Sequence, residues 1–452
     1  MKIVVAGCGK IGNTIIESLV IEGHDVTAVD IEPTVLEEIT NIYDVMCIGG
    51  TITDVNTLSE AGVDKAELFV AVTGFDEMNM LACFLAKKMG AQNTIARIRN
   101  PFYNEHSLGF LKQQLSLNAA INPEQIVAKE LYNILKFPSA DSIETFSRRQ
   151  FELIHHRLKP DSVLDGLSLI EMRKKFPGSY LVGTVERDDE VFIPDGNFVL
   201  KSGDKVGFTA SPQEIQKLFR ALGILQKKAR SVMILGASTT AYYLAKMLLA
   251  SGNPVKIIEK DRVRCEEFSE LLPGAVIIEG DGARQELLLE EGIASTDAFV
   301  TLTGIDEENI LISFFAKSQE VPKVITKVNR GELISMAEKL GLDTIVSPRS
   351  VFLDIISRYA RALENSLGSN VETLYKLMDG KAEALEFIVK EDFMHQNIPL
   401  RELKTKKNVI IAGIIRNRKA IIPGGDDIIL AGDHVVVLAA GHYLNDLSDI
   451  LD

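Results

Sequence analysis

The stretch KIVVAGCGKIG, residues 2–12, decides the fold. An apolar run enters Gly7, Gly9 and Gly12, which are spaced as G-x-G-x-x-G. Each glycine has its own task in a strand–turn–helix that holds a pyrophosphate. Gly7 permits the tight turn, Gly9 lets backbone approach the phosphates, and Gly12 lets the helix pack on the strand. The helix start then offers unpaired N–H groups and a positive dipole. Asp30 closes the next apolar run, 18 residues after Gly12. At that point a carboxylate accepts from an adenosine ribose and repels a 2′-phosphate, which favours NAD or an adenine nucleotide over NADP.

The stretch has a second copy. Residues 231–241, SVMILGASTTA, repeat it with Gly236 in the place of Gly7. DVTAVD (25–30) is answered by PVKIIE (254–259), and TIARIRN (94–100) by VITKVNR (324–330). AELFVAVTGFDEMNMLACFLAK (66–87) is answered by TDAFVTLTGIDEENILISFFAK (296–317). The offset stays at 229–230 residues, so a whole ordered unit is duplicated.

Within each unit the first part alternates Val/Ile-rich runs with helix-length segments, the pattern of a doubly wound parallel sheet. The second part has short runs with turn signals such as PDG (194–196) and SGD (202–204), a small α+β domain. The expected class is α/β, with two tandem Rossmann-like domains, each followed by such a subdomain. Expected boundaries are 1–120 and 230–345 for the Rossmann-like domains and 146–225 and 371–452 for the subdomains. Linking helices are expected over 121–145 and 346–370, each starting at a proline, Pro123 or Pro348. Their apolar faces suit packing on the same chain or on a partner subunit.

Further candidates sit at expected strand ends, where open α/β sheets take ligands. Thr51 is placed to meet ribose or adenine. Thr73 and Gly74 close the run LFVAVT, and Asp76 is expected as N-cap of the next helix. Arg97 offers a fork either to ligand phosphate or to Asp76 and Glu77. In the second copy the turn reads Gly236, Ser238, Ala241, with Glu259 as the strand-end acid and Asp281 where the first has Thr51. Lys327 replaces Arg97 and loses the bidentate fork. Side chains at Ser238 and Ala241 make the second turn less suited to a dinucleotide, so the two sites should differ in ligand.

Composition narrows the function. The chain has 452 residues, of which 46% are hydrophobic and 25% charged, enough for several buried cores. A net charge of −14 argues against nucleic acid as a partner. Four scattered cysteines give neither a disulfide framework nor a thiolate metal site. No apolar run is long enough to span a bilayer and no targeting segment is evident, so the cytosol is the expected location. A dehydrogenase would need a proton donor at the nicotinamide. The seven histidines (His24, His106, His155, His156, His395, His434, His442) have no matched partner between copies, and no catalytic or metal-binding set emerges from them.

The tandem glycine turns, the strand-end acids, the two VTGxDExN or LTGxDExN stretches and the basic strand ends together resemble the TrkA family. That resemblance covers essentially the whole chain. It implies RCK (KTN) domains in a cytosolic regulatory subunit of Trk-type potassium uptake systems, peripheral on the inner face of the membrane. It implies a homotetrameric ring docked on a membrane-embedded channel subunit of the TrkH or TrkG type, and no enzyme activity. It also implies that NAD(H) and ATP or ADP bind the clefts and gate potassium flux. Gly7, Cys8, Gly9, Lys10, Ile11, Gly12, Asp30, Thr73, Gly74 and Arg97 match the family's contacts in the first half. Gly236, Ala237, Ser238, Thr239, Thr240, Glu259 and Asp281 match in the second. Departures are Thr51, where Asp or Asn is usual, and Ser238 with Ala241. A nucleotide-binding scaffold serving another transporter is the alternative.

Overall fold

The computed structural model describes residues 1–103, 105–146, 150–365, 371–378 and 380–451. The His106 side chain, residues 366–370 of the expected second linker and Asp452 fall outside these. The chain forms two compact units. One holds Met1–Leu131, Ser231–Lys339 and Val346–Ala360, and the other holds Tyr132–Arg230, Leu340–Ile345 and Arg361–Asp452.

In the first unit the order is β1 (Lys2–Ala6), α1 (Lys10–Ile21), β2 (Asp25–Asp30), α2 (Pro33–Ile42), β3 (Met46–Gly49) and α3 (Val55–Glu60). Then follow β4 (Leu68–Ala71), α4 (Asp76–Met89), β5 (Asn93–Arg97), α5 (Glu105–Gln114), β6 (Ala119–Ile121) and α6 (Pro123–Lys136). The strands form one parallel sheet in the order β3-β2-β1-β4-β5-β6. The order reverses between β1 and β4, and a doubly wound sheet opens its crevice at the carboxyl ends of such a pair. β1 and β4 are apolar at nearly every position because helices cover both faces, and Val5, Ala6, Phe69 and Val70 are fully buried.

The other unit begins its sheet with β7 (Ser142–Phe146), β8 (Phe151–Arg157), β9 (Tyr180–Arg187), β10 (Glu190–Phe192) and β11 (Lys205–Ala210), with helices α7 (Leu169–Lys175) and α8 (Pro212–Ala221). The sheet order is β10-β9-β11-β8-β7, and its pairings are antiparallel.

The second parallel sheet, again in the first unit except for Ile345, contains β12 (Val232–Leu235), β13 (Val255–Glu259), β14 (Val276–Glu279), β15 (Ala298–Thr301), β16 (Lys323–Lys327) and β17 (Ile345–Val346). Its order, β14-β13-β12-β15-β16-β17, repeats the first. Its helices are α9 (Thr239–Ala250), α10 (Arg262–Leu271), α11 (Gln285–Glu290), α12 (Asp306–Ser318), α13 (Gly331–Lys339) and α14 (Pro348–Asn365). The last sheet, β18 (Val371–Leu377), β19 (Ala382–Ile388), β20 (Val409–Arg416), β21 (Lys419–Ile421) and β22 (His434–Ala440), is antiparallel in the order β18-β19-β22-β20-β21. It shares a core with the first antiparallel sheet: Phe146, Phe151 and Leu153 pack among Leu377, Ala384, Ala412 and Leu438.

The linking helices meet the opposite copy of the same chain. Ser357 on α14 lies against Ser18 on α1, with the hydroxyl oxygens 3.2 Å apart. Asn122, just before α6, donates to the Tyr243 hydroxyl on α9 at 2.9 Å.

Candidate functional site

The first cleft is built at the ends of β1, β2, β4 and β5. Gly7 sits at φ +97° with its N–H on the Val29 carbonyl, and the chain turns into α1 at Lys10. A Cβ on Gly12 would stand 1.9 Å from the Gly7 carbonyl oxygen, so the close approach of α1 requires glycine there. Gly9 differs: a Cβ there would meet no atom within 4 Å. The fold leaves that space open, and α1 starts with no side-chain cap. An open cradle beside uncapped amides fits a phosphate.

Asp30 holds the turn from the side. Its Oδ2 accepts from the Cys8 N–H at 2.5 Å and its Oδ1 from the Glu32 N–H at 3.0 Å. Each carboxylate oxygen keeps a further lone pair for a hydroxyl donor. Burial first, and the Asp30 charge second, push the Cys8 thiol well above its ordinary value. It therefore remains a protonated, unreactive thiol at neutral pH.

The opposite wall is fixed by one amide. Asn79 Oδ1 accepts from the Thr73 N–H (2.9 Å) and hydroxyl (2.7 Å), while Nδ2 donates to the Thr73 carbonyl (3.2 Å) and the Arg97 carbonyl (2.9 Å). The ends of β4 and β5 are thus tied together. Asn309 makes the same four bonds to Thr303 and Lys327 in the second copy. The repeated DExN spacing in both copies carried this signal.

Two expectations are corrected here. Asp76 does not cap its helix: the N-cap is Phe75, and the Asp76 carboxylate accepts from the backbone N–H groups of Arg99 (2.8 Å) and Asn100 (2.7 Å). It shapes the loop after β5 instead, as Asp306 does for Asn329 and Arg330. Arg97 pairs neither with Asp76 nor with Glu77. It donates to Glu124 Oε1 in the first turn of α6 at 2.8 Å, and both are largely buried. Burial lowers its pKa while Glu124 opposes that shift. Arg99 is the arginine near Asp76, and it also donates to the Gly74 carbonyl. Glu124 lay outside the sequence expectations because only the sheet order brings it to β5.

The remaining first-copy candidates are at the rim. Lys10 and Gly74 are exposed, Ile11 is half-buried, and the Thr51 hydroxyl is 3.2 Å from that of Thr53.

The second cleft repeats the plan with one change. Glu259 takes the place of Asp30, accepting from the N–H groups of Ala237 (2.7 Å) and Asp261 (2.9 Å). Ser238, where the first copy has Gly9, is the N-cap of α9, and its hydroxyl accepts from the Ala241 N–H at 3.3 Å. The chain itself therefore satisfies one of the amides that the first copy leaves open. Thr239 and Thr240 form the first turn behind it. Asp281 is exposed and accepts from the Ala283 N–H, turning its own loop. Lys327 is half-buried, with Nζ 3.5 Å from the Leu302 carbonyl. Burial pulls its pKa down against the pull of Asp306 and Glu124.

Known proteins share this plan. Residues 3–123 and 232–348 match the TrkA-N domain, and residues 153–223 and 386–452 the TrkA-C domain. The Trk system potassium uptake protein TrkA homolog of Archaeoglobus fulgidus is 32% identical over 456 residues, covering 100% of each chain. The Trk system potassium uptake protein TrkA of Haemophilus influenzae is 30% identical, over 100% of this chain and 97% of its own. The crystal structure of the GsuK RCK domain shares the fold at a TM-score of 0.63 and 16% identity, over 97% of this chain and 92% of that one. The GsuK channel bound to NAD does so at 0.63 and 15%, over 97% and 77%. Among the described residues, no helix is long and apolar enough to cross a membrane. With both halves matched and relatives aligned end to end, the chain belongs to the TrkA family.

Proposed function

We propose that this chain is a nucleotide-sensing regulatory subunit of a Trk-type potassium uptake system, acting from the cytosolic face on a membrane-embedded channel subunit. The observation that carries the reading is the open turn at Gly9 beside an uncapped α1 and the carboxylate of Asp30. In this reading the first cleft takes NAD(H): the amides at Gly9 to Gly12 hold phosphate, and Asp30 accepts from ribose hydroxyls. The second cleft, with its Ser238 cap and the longer Glu259, favours ATP or ADP over the dinucleotide. Thr73, Gly74 and Arg97 in one copy, and Asp281 in the other, border the ligands.

The bound nucleotide supplies phosphate charge and shape, and no bond is made or broken. Gating then requires different affinity for two shapes of the assembly. The family resemblance supports a homotetrameric ring. The names of the full-length relatives support the potassium uptake context. The test is calorimetry on the full chain. Asp30→Ala should weaken NADH binding about tenfold or more while leaving the oligomer intact, and unchanged affinity would sink the site assignment. Steady hydride turnover of any metabolite would favour the dehydrogenase reading instead.

A further inference from the structure

We propose that Glu372, Glu386 and His434 form a binding site for one divalent transition-metal cation of the zinc class, within the second antiparallel sheet. The residues come from three strands, β18, β19 and β22. His434 Nδ1 lies 2.8 Å from Glu372 Oε2 and 2.8 Å from Glu386 Oε1. One donor atom from each of the three lies within 4.8 Å of the others. The Glu386 side chain is 1% exposed, whereas His434 and Glu372 open towards solvent at 31% and 46%. The site thus has a buried floor and an open mouth.

The donor arithmetic favours a cation. An imidazole Nδ1 carries at most one hydrogen, yet two separate carboxylates converge on it. A divalent ion would take one electron pair from each of the three converging donor atoms. Nitrogen with carboxylate oxygen is a donor set suited to Zn²⁺, and three protein ligands leave the fourth position open. Tetrahedral zinc places its ligand atoms about 3.3–3.5 Å apart, so the two short separations need to open by only about half an ångström.

A register shift in the sheet accompanies this convergence. Pairing of β18 with β19 steps from Val371↔Phe387 to Thr373↔Glu386, which makes Glu372 the extra residue of a β-bulge. Bulges re-aim side chains. The first copy shows that the fold does not demand the set. Its β7–β8 ladder runs from Ser142↔His155 to Phe146↔Phe151 with no shift. By these registers Ser142 matches Thr373 and His155 matches Glu386, so Glu372 has no ladder counterpart in the first copy, and Lys205 stands in the place of His434. There the imidazole meets the hydroxyls of Ser142 at 3.0 Å and Thr184 at 3.2 Å, with Glu144 at 3.4 Å. Among the described residues, two carboxylates gather on one ring only in the second copy.

Metal titration of the full chain tests this. Chelator-treated protein is titrated with Zn²⁺ by calorimetry and with Co²⁺ by visible absorption, alongside His434→Ala, Glu372→Gln and Glu386→Gln. The wild type should bind one ion per chain at this site, show Co²⁺ bands with nitrogen coordination, and melt higher with Zn²⁺. Each variant should lose about tenfold or more in affinity together with the melting shift. Glu372→Gln lies on the exposed rim and tests the site even if the buried Glu386→Gln fails to fold. Equal Zn²⁺ affinity in wild type, Glu372→Gln and His434→Ala would overturn the proposal. So would the absence of stoichiometric binding by the wild type.

Discussion

Arg97 and Glu124 join the end of β5 to the first turn of α6 through a 2.8 Å charged hydrogen bond. Lys327, at the same place in the second copy, feels the field of the same carboxylate. One acid therefore acts on a basic strand end from each half, with Asp306 the stronger influence on Lys327. Removing it leaves the buried Arg97 guanidinium short of its partner, a larger penalty than the pair's own net worth. Glu124→Ala should lower stability by about 3 kcal/mol, read as an earlier denaturation midpoint. Pairing Arg97→Met with Glu124→Leu should recover most of that loss, and a double-mutant cycle would measure the coupling.

The turn glycines should separate fold from ligand. Gly12→Ala places a methyl 1.9 Å from the Gly7 carbonyl oxygen and should lower the melting temperature markedly. Gly9→Ser meets nothing within 4 Å, so it should melt like wild type. By analogy with Ser238 the new hydroxyl should cap α1 and weaken NADH binding about tenfold. Equal NADH affinity in Gly9→Ser and wild type would remove the phosphate from that turn.

Asp76 accepts two amides in the loop after β5. Asp76→Ala should leave both without that partner and cost about 2 kcal/mol, in line with hydrogen bonds to a charged group. Hydrogen exchange at Arg99 and Asn100 should accelerate by tenfold or more, while amides of β1 and β4 stay protected.

Ser18 and Ser357 allow α1 and α14 to approach closely, and both are buried. Ser357→Leu forces three extra carbons into that contact and should cost about 1–3 kcal/mol. Ser357→Ala should fall within about 1 kcal/mol of wild type. If the leucine variant melted like wild type, the two helices would not be in contact in solution.

The duplicated order of elements was legible because apolar periodicity and glycine spacing are local properties of the chain. The carboxylates of Asp30 and Glu259 were legible for the same reason: the strand end fixes where they stand. The cap expected of Asp76 and the acidic pair offered for Arg97 were misread because their partners are decided by which strand lies next to which. An acid at a helix start ordinarily caps its own helix, yet Asp76 reaches amides 23 and 24 residues away. Ser238 was read as an obstruction, although its hydroxyl also supplies a cap. The carboxylate–imidazole group at His434 spans 62 residues and needs a bulge to form, so no spacing rule exposes it.

Gly12 and Ala241 occupy equivalent places, yet only one of those places has room for a methyl group. Genetic exchange between the two halves is consequently one-sided. A crossover that pasted the Ser-Thr-Thr-Ala start into the first half would jam its alanine against the Gly7 carbonyl, and such recombinants would be purged.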